Sequence, residues 1–113
     1  MQLEHISDQN IEFVRLPRLV SMADALATRC ALLRLILSAS RPRLAIDMSE
    51  VEFIDSSGLA ALVWCLQVSR RRRGNVCLFG MRDQTRALFE LTRLYKIIPI
   101  SERRQDAVET LSA

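Results

Sequence analysis

Four consecutive residues, Asp55-Ser56-Ser57-Gly58, are where side-chain type and spacing could do chemistry in this sequence. They stand between a short extended or loop piece, Val51 to Ile54, and a segment from Leu59 to Arg73 with helical periodicity. The first backbone N–H groups of a helix have no partner within it. Two hydroxyls and a carboxylate therefore meet a row of free donors. Read structurally, Asp55 or Ser56 is the N-cap, Ser57 sits in the first turn, and Gly58 lets a neighbouring element come close. Read chemically, a phosphate on a serine here would face the positive end of the helix dipole and its amide donors. Such a group adds roughly −1.5 to −2 charges and three acceptor oxygens without breaking the helix. The fold survives while the surface changes sign, which suits a switch.

Nucleophilic catalysis fits the same residues poorly. The Gly-x-Ser-x-Gly elbow is absent, and the one histidine, His5, lies near a chain terminus, so the serines lack an activating base. With only Gly58, Gly74 and Gly80, the chain has no Gly-rich phosphate loop. Cys30, Cys65 and Cys77 are widely spaced inside apolar stretches and form no C-x-x-C pair. They read as buried free thiols of a reducing compartment, with no metal site and no cofactor. The chain does not read as an enzyme.

Length and charge narrow the class further. The 113 residues suffice for one domain, residues 1–113, and leave no room for a second core. Half are apolar and few are aromatic, so the core must be built from Leu, Ile, Val and Ala. A net charge of +3, with acids nearly as numerous as bases, does not indicate a nucleic-acid partner. The first residues lack the pattern of a signal peptide, and no apolar run approaches the roughly 20 residues of a membrane span. The expectation is a soluble cytoplasmic protein with no membrane and no direct nucleic-acid partner.

The elements that must position the serines can be read in order. Leu3 to Ile6 and Ile11 to Leu16 are predicted strands joined by a turn over Ser7-Asp8-Gln9-Asn10. Ser21 and Asp24 resemble a capping box opening a helix whose apolar side is Met22, Leu26, Leu33, Ile36 and Leu37. Arg43 to Met48 is a buried parallel strand, and Val76 to Phe79 another. Asp83 can cap a third helix with Ala87, Leu88, Leu91 and Leu94 on its apolar face. Ile97 to Ile100 reads as an edge strand because of Pro99, and Ser101 can cap a last helix. The order β-β-α-β-α-β-α-β-α makes an α/β domain with a mixed central sheet of about five strands and helices packed mainly on one side.

The helix after the serines is apolar nearly all round. Leu59, Leu62, Val63 and Leu66 make the face that lies on the sheet. At about 100° per residue, Trp64 projects roughly 150° away, joined by Ala60, Ala61 and Val68. Either another element covers this second face, or it is a docking patch for a partner or a second copy beginning one turn from Ser56. Arg70 to Arg73 close the helix, where the dipole favours cations.

The stretch Leu44-Ala45-Ile46-Asp47-Met48-Ser49-Glu50-Val51-Glu52-Phe53-Ile54-Asp55-Ser56-Ser57-Gly58-Leu59 resembles the STAS-domain signature of bacterial anti-sigma-factor antagonists. The run Leu88 to Ile98 is similar to that family's third helix and last strand. The resemblance implies a STAS fold and a partner-switching function. The unphosphorylated protein binds an anti-sigma factor that is also a serine protein kinase, freeing the sigma factor. The kinase phosphorylates the first serine of the motif, matching Ser56 here, with Ser57 as the alternative, and a serine phosphatase resets the switch. ATP and magnesium belong to the kinase. The expected docking residues are Asp55, Ser56, Ser57, Gly58, Ala61, Trp64 and Arg18, and a homodimer is allowed. Two departures stand out. Pro17-Arg18-Leu19-Val20 replaces the Gly-Glu-Leu-Asp that many members carry, and Arg93 replaces a usual Gly. A non-phosphorylated subunit docking on the ATPase of a lipid-type transport complex, and a scaffold in a stress-sensing assembly, are the competing functions.

Overall fold

The computed structural model describes residues 3–112. Strands β1 (Glu4–Asp8) and β2 (Ile11–Arg15) form an antiparallel hairpin, with Asp8 opposite Ile11. The turn is therefore only Gln9-Asn10, both at positive φ (53° and 64°), the tight two-residue form that matches strand twist. This corrects the broader turn expected over Ser7 to Asn10. Strand β3 (Leu19–Val20) follows, then α1 (Met22–Leu37), β4 (Arg43–Asp47), β5 (Phe53–Ile54) and α2 (Ser56–Arg71). The chain continues through β6 (Asn75–Phe79), α3 (Asp83–Leu91), a 3-10 turn at Leu94–Lys96, β7 (Ile100–Ser101) and α4 (Arg104–Ser112).

The main sheet has five strands in the order β1-β2-β4-β6-β7 and is parallel except for the β1–β2 pair. Its two faces are written in alternate residues. Val14, Leu44, Ile46, Val76 and Leu78 point into the larger core, shared with Leu32 and Ile36 of α1, Leu62 and Leu66 of α2, and Phe89 of α3. Ile11, Phe13, Ala45, Cys77 and Phe79 point the other way, onto Ala107 and Leu111 of α4. Three helices thus lie on one face and one on the other. Each fully buried Leu or Ile contributes about 1.5–3 kcal/mol, so the larger face dominates the stability.

Several local expectations are corrected. On α1, Thr28, Leu32 and Ile36 are buried, while Met22, Leu26 and Leu37 are exposed. On α3 the buried pair is Thr85 and Phe89, and Leu91 is exposed. The buried face of α1 is rotated to take in Thr28, and that of α3 is centred on Phe89, the largest apolar residue of the helix. Ser101 belongs to β7 and does not cap α4. Asp83 is the first residue of α3, one place beyond the N-cap, Arg82.

Candidate functional site

After β4 the chain runs through buried Met48 and Val51 and returns as β5, which pairs in parallel with β3: Leu19 with Phe53 and Val20 with Ile54. This two-strand piece is separate from the main sheet. Its job is local. The Arg18 carbonyl accepts the amides of Glu52 (2.9 Å) and Phe53 (3.2 Å), and the Val20 carbonyl accepts that of Asp55 (3.2 Å). These three hydrogen bonds between two short segments fix where α2 begins. Gly58 completes the fit, since a Cβ there would lie 2.6 Å from both the Val20 carbonyl oxygen and Ile54 Cγ1. The close approach expected of this glycine is what the structure contains.

Asp55 is the N-cap of α2, and its Oδ1 accepts the Gly58 N–H at 3.0 Å. Its Oδ2 accepts the Met22 N–H, at the first residue of α1, at 2.9 Å. One carboxylate therefore closes the N-termini of two helices. Ser21, expected to cap α1 through its side chain, makes no such bond and only its carbonyl is used, by the Asp24 N–H at 3.0 Å. The Gly58 amide is the largest reason that the Asp55 carboxyl titrates below its ordinary 3.8, with the Met22 and Ser57 amides acting in the same direction and partial desolvation opposing them. The second half of this clamp was not legible in the sequence, because Met22 and Asp55 are 33 positions apart.

Ser56 and Ser57 are the first two residues of α2; Ser56 is exposed and Ser57 partly so. Both oxygens of Asp55 are already committed to backbone amides, so it is not placed to act as a base toward Ser56. Ser56 is thus an exposed hydroxyl at a helix end whose dipole favours negative charge. Around it lies an apolar surface that the sequence reading missed: Met22 (75% exposed), Leu26 (72%), Phe53 (54%) and Leu19 (45%). Met22 is tied to Asp55 by its own amide, and Leu19 and Phe53 are paired partners on the strands that lead to it. The signal that could have found them was the excess of apolar residues on α1, more than one buried face can hold.

The remaining expected docking residues divide. Ala61 is fully buried and packs inside, so it offers nothing to a partner. Trp64 is half-buried against the core, and the Arg29 guanidinium of α1 lies 5.4 Å from its ring centroid. Of the two readings of the outer face of α2, coverage by another element holds at Ala61 and Trp64, and the element is α1. What stays open on α2 is Ser56, Ala60 and Gln67, with Arg70 and Arg71 at its end. Arg18 lies beside the loop, as the departure from Gly-Glu-Leu-Asp suggested. Its guanidinium meets Glu52 at 2.9 Å, and Arg82 approaches the other Glu52 oxygen at 3.5 Å. These are exposed pairs, each contributing at most about 1 kcal/mol.

The cysteines also divide. Burial pushes the Cys65 thiol up to about 12, and burial raises Cys77 as well, which makes both inert at neutral pH. Cys30 is exposed, a correction to its expected burial. Among the described residues no group of His, Cys, Asp and Glu could hold a metal ion, and no helix is long and apolar enough to cross a membrane.

An anti-sigma-B factor antagonist of Listeria monocytogenes is 42% identical over 57 residues, a match spanning 50% of this chain and 50% of that relative. An anti-sigma-factor antagonist (STAS) domain protein from Planctomyces limnophilus superposes with a TM-score of 0.88 over 100% of both chains at 15% identity. The Bacillus cell fate determinant SpoIIAA in its phosphorylated form does so with a TM-score of 0.70 at 16% identity, over 96% of each chain. The two solved structures share the fold. The family profile of the STAS domain matches residues 3–107, and with the sheet order, the β3–β5 clasp and the serines at the head of α2 in place, the chain belongs to the STAS domain family.

Proposed function

We propose that this STAS domain is an anti-sigma-factor antagonist switched by phosphorylation of Ser56, binding an anti-sigma factor that is also a serine kinase and thereby releasing a sigma factor. The observation that carries the reading is the setting of Ser56. It is an exposed hydroxyl at the head of α2, bordered by exposed Met22, Leu26, Leu19 and Phe53. An apolar surface of this kind, rimmed by polar groups, is a docking surface. A phosphate placed beside it would oppose docking through charge and through the cost of desolvating a dianion.

The clamp explains how the switch would act without refolding. Asp55 already occupies the Gly58 and Met22 amides, so a phosphate on Ser56 has to stay outward, in the path of the partner. The half-length match to the Listeria antagonist and the phosphorylated form of SpoIIAA are further support, each for its own protein. A serine phosphatase would reset the switch, and ATP and magnesium would sit in the kinase.

Complex formation with the cognate kinase-like anti-sigma factor, measured by calorimetry with wild type, Ser56→Asp and Leu26→Asp, tests the reading. Tight binding by wild type and at least a tenfold loss in both variants is expected. Unchanged binding by Leu26→Asp and Ser56→Asp would place the interface elsewhere and remove the proposal.

A further inference from the structure

We infer that the end of the domain opposite Ser56 is a peripheral docking surface for an anionic lipid bilayer. Helices α1 and α2 share their N-termini at Asp55, and both end at the other pole. There the loop before β4 meets the turn after α2. Arg41 Nε donates to the Arg73 carbonyl at 3.2 Å, an Arg72 guanidinium N–H donates to the Ala39 carbonyl at 3.2 Å, and the Asn75 amide donates to the Pro42 carbonyl at 2.9 Å. These contacts gather Arg34 from the last turn of α1, Arg41 and Arg43 from the loop and the start of β4, Arg70 and Arg71 from the end of α2, and Arg73 from the turn after it.

Among the described residues none of these six arginines has a carboxylate within ion-pair distance; Arg29, Arg93, Arg104 and Lys96 elsewhere have none either, so it is the gathering of six at one end that distinguishes the pole. Asp8 and Glu12 line a cleft with Arg41 and Arg43 at this end, without forming an ion pair with either. The dipoles of two helices favour cations at their C-termini, but only within the last turn. They do not account for Arg41 and Arg43.

The chemistry of the pole selects the anion. Exposed Phe53 and Tyr95 belong to β5 and the 3-10 turn, so the pole has no aromatic platform on which bases could stack. It does carry an exposed aliphatic side chain, Leu37, 56% accessible and three residues on from Arg34. Arginines around an aliphatic group that can enter the headgroup layer match an anionic membrane surface. Because α2 rises about 1.5 Å per residue, Ser56 is roughly 22 Å from Arg71. A domain held by this pole keeps its serines turned toward solvent.

The test is sedimentation of the whole chain with vesicles, one set pure phosphatidylcholine and one containing about a third phosphatidylglycerol, at low and physiological salt. The expected result is partitioning onto the anionic vesicles alone, weakened by salt. At about fivefold per arginine, Arg34→Gln/Arg71→Gln should lower it about 25-fold, while Arg86→Gln/Arg103→Gln, with the same change in charge, keeps it near the wild-type level. Circular dichroism shows that each variant is folded. Equal binding to neutral vesicles, equal loss in both double variants, or tighter binding to duplex DNA than to the anionic vesicles at matched salt would overturn the inference.

Discussion

At its N-terminal end α2 is pressed against β3 through Gly58, and at its C-terminal end the chain is pressed against the segment before β4 through Gly74. A Cβ on Gly58 would lie 2.6 Å from the Val20 carbonyl oxygen, and one on Gly74 would lie 1.8 Å from that of Pro42. Both ends of the helix are therefore pinned by backbone contact, yet their surfaces carry opposite chemistry. The Ser56 end has a carboxylate committed to two amides and an apolar surround. The Arg71 end has cations that, among the described residues, form no ion pair with an acid. A helix held this way is a poor lever. Under the proposals above, a phosphate at Ser56 and an anionic surface at the Arg71 end would each act from outside the helix, without moving it.

The largest effect that would sharpen this comparison is on stability. Gly74→Ala should cost about 3 kcal/mol, because the obstacle is a carbonyl that cannot turn aside. Gly58→Ala should cost less, about 1–2 kcal/mol, since alanine recovers roughly 1 kcal/mol of helix propensity at a helical position. Urea denaturation of both variants checks the order. A smaller loss at Gly74 than at Gly58 would break the claim that the C-terminal end is the more tightly fixed.

The two faces of α1 give the next contrast. Leu32→Ala, at a fully buried site, should cost about 3 kcal/mol. Leu26→Ala, exposed, should stay within about 0.5 kcal/mol while still weakening partner docking. Thermal melts alongside binding separate the two.

A pH series tests the clamp. The folded-state pKa of Asp55 lies below the ordinary 3.8, so its contribution is fully present above that value and is lost as pH falls through the folded pKa. Asp55→Asn should melt lower than wild type at pH 6, and the gap should narrow below about pH 4. A gap that stays constant down to pH 2.5 would mean that the carboxylate charge is not what closes the two helices.

The smallest expected change is a gain. Arg93 sits at φ 60° just beyond α3, the left-handed position that glycine fills without strain. Arg93→Gly should raise stability by up to about 1 kcal/mol in a melt.

Much of this domain could be read from its sequence. The order of the main-sheet strands and the helices, the buried strands β4 and β6, and a cap at Asp55 or Ser56 follow from local pattern, because each depends on residues within a few positions, whereas the β3–β5 pairing and the contact of Gly58 with Val20 do not. What could not be read depends on separation. The buried faces of α1 and α3 differ from the expected ones because packing on the sheet decides which residues go in, and it takes Thr28 on α1 and Thr85 with Phe89 on α3. The second ligand of Asp55 lies on another helix. The six arginines reach one pole from three segments, so a modest net charge concealed a local concentration. Ala61 and Trp64 looked available on a helical projection, but the projection contains no α1.

The central claim is that Ser56 is the switch. Intact mass of wild type, Ser56→Ala and Ser57→Ala after incubation with the cognate kinase-like protein, ATP and magnesium measures it directly. The account predicts one added phosphate on wild type and on Ser57→Ala, and none on Ser56→Ala. Phosphate on Ser56→Ala, or no phosphate on any of the three with a kinase shown to be active on another substrate, would contradict it.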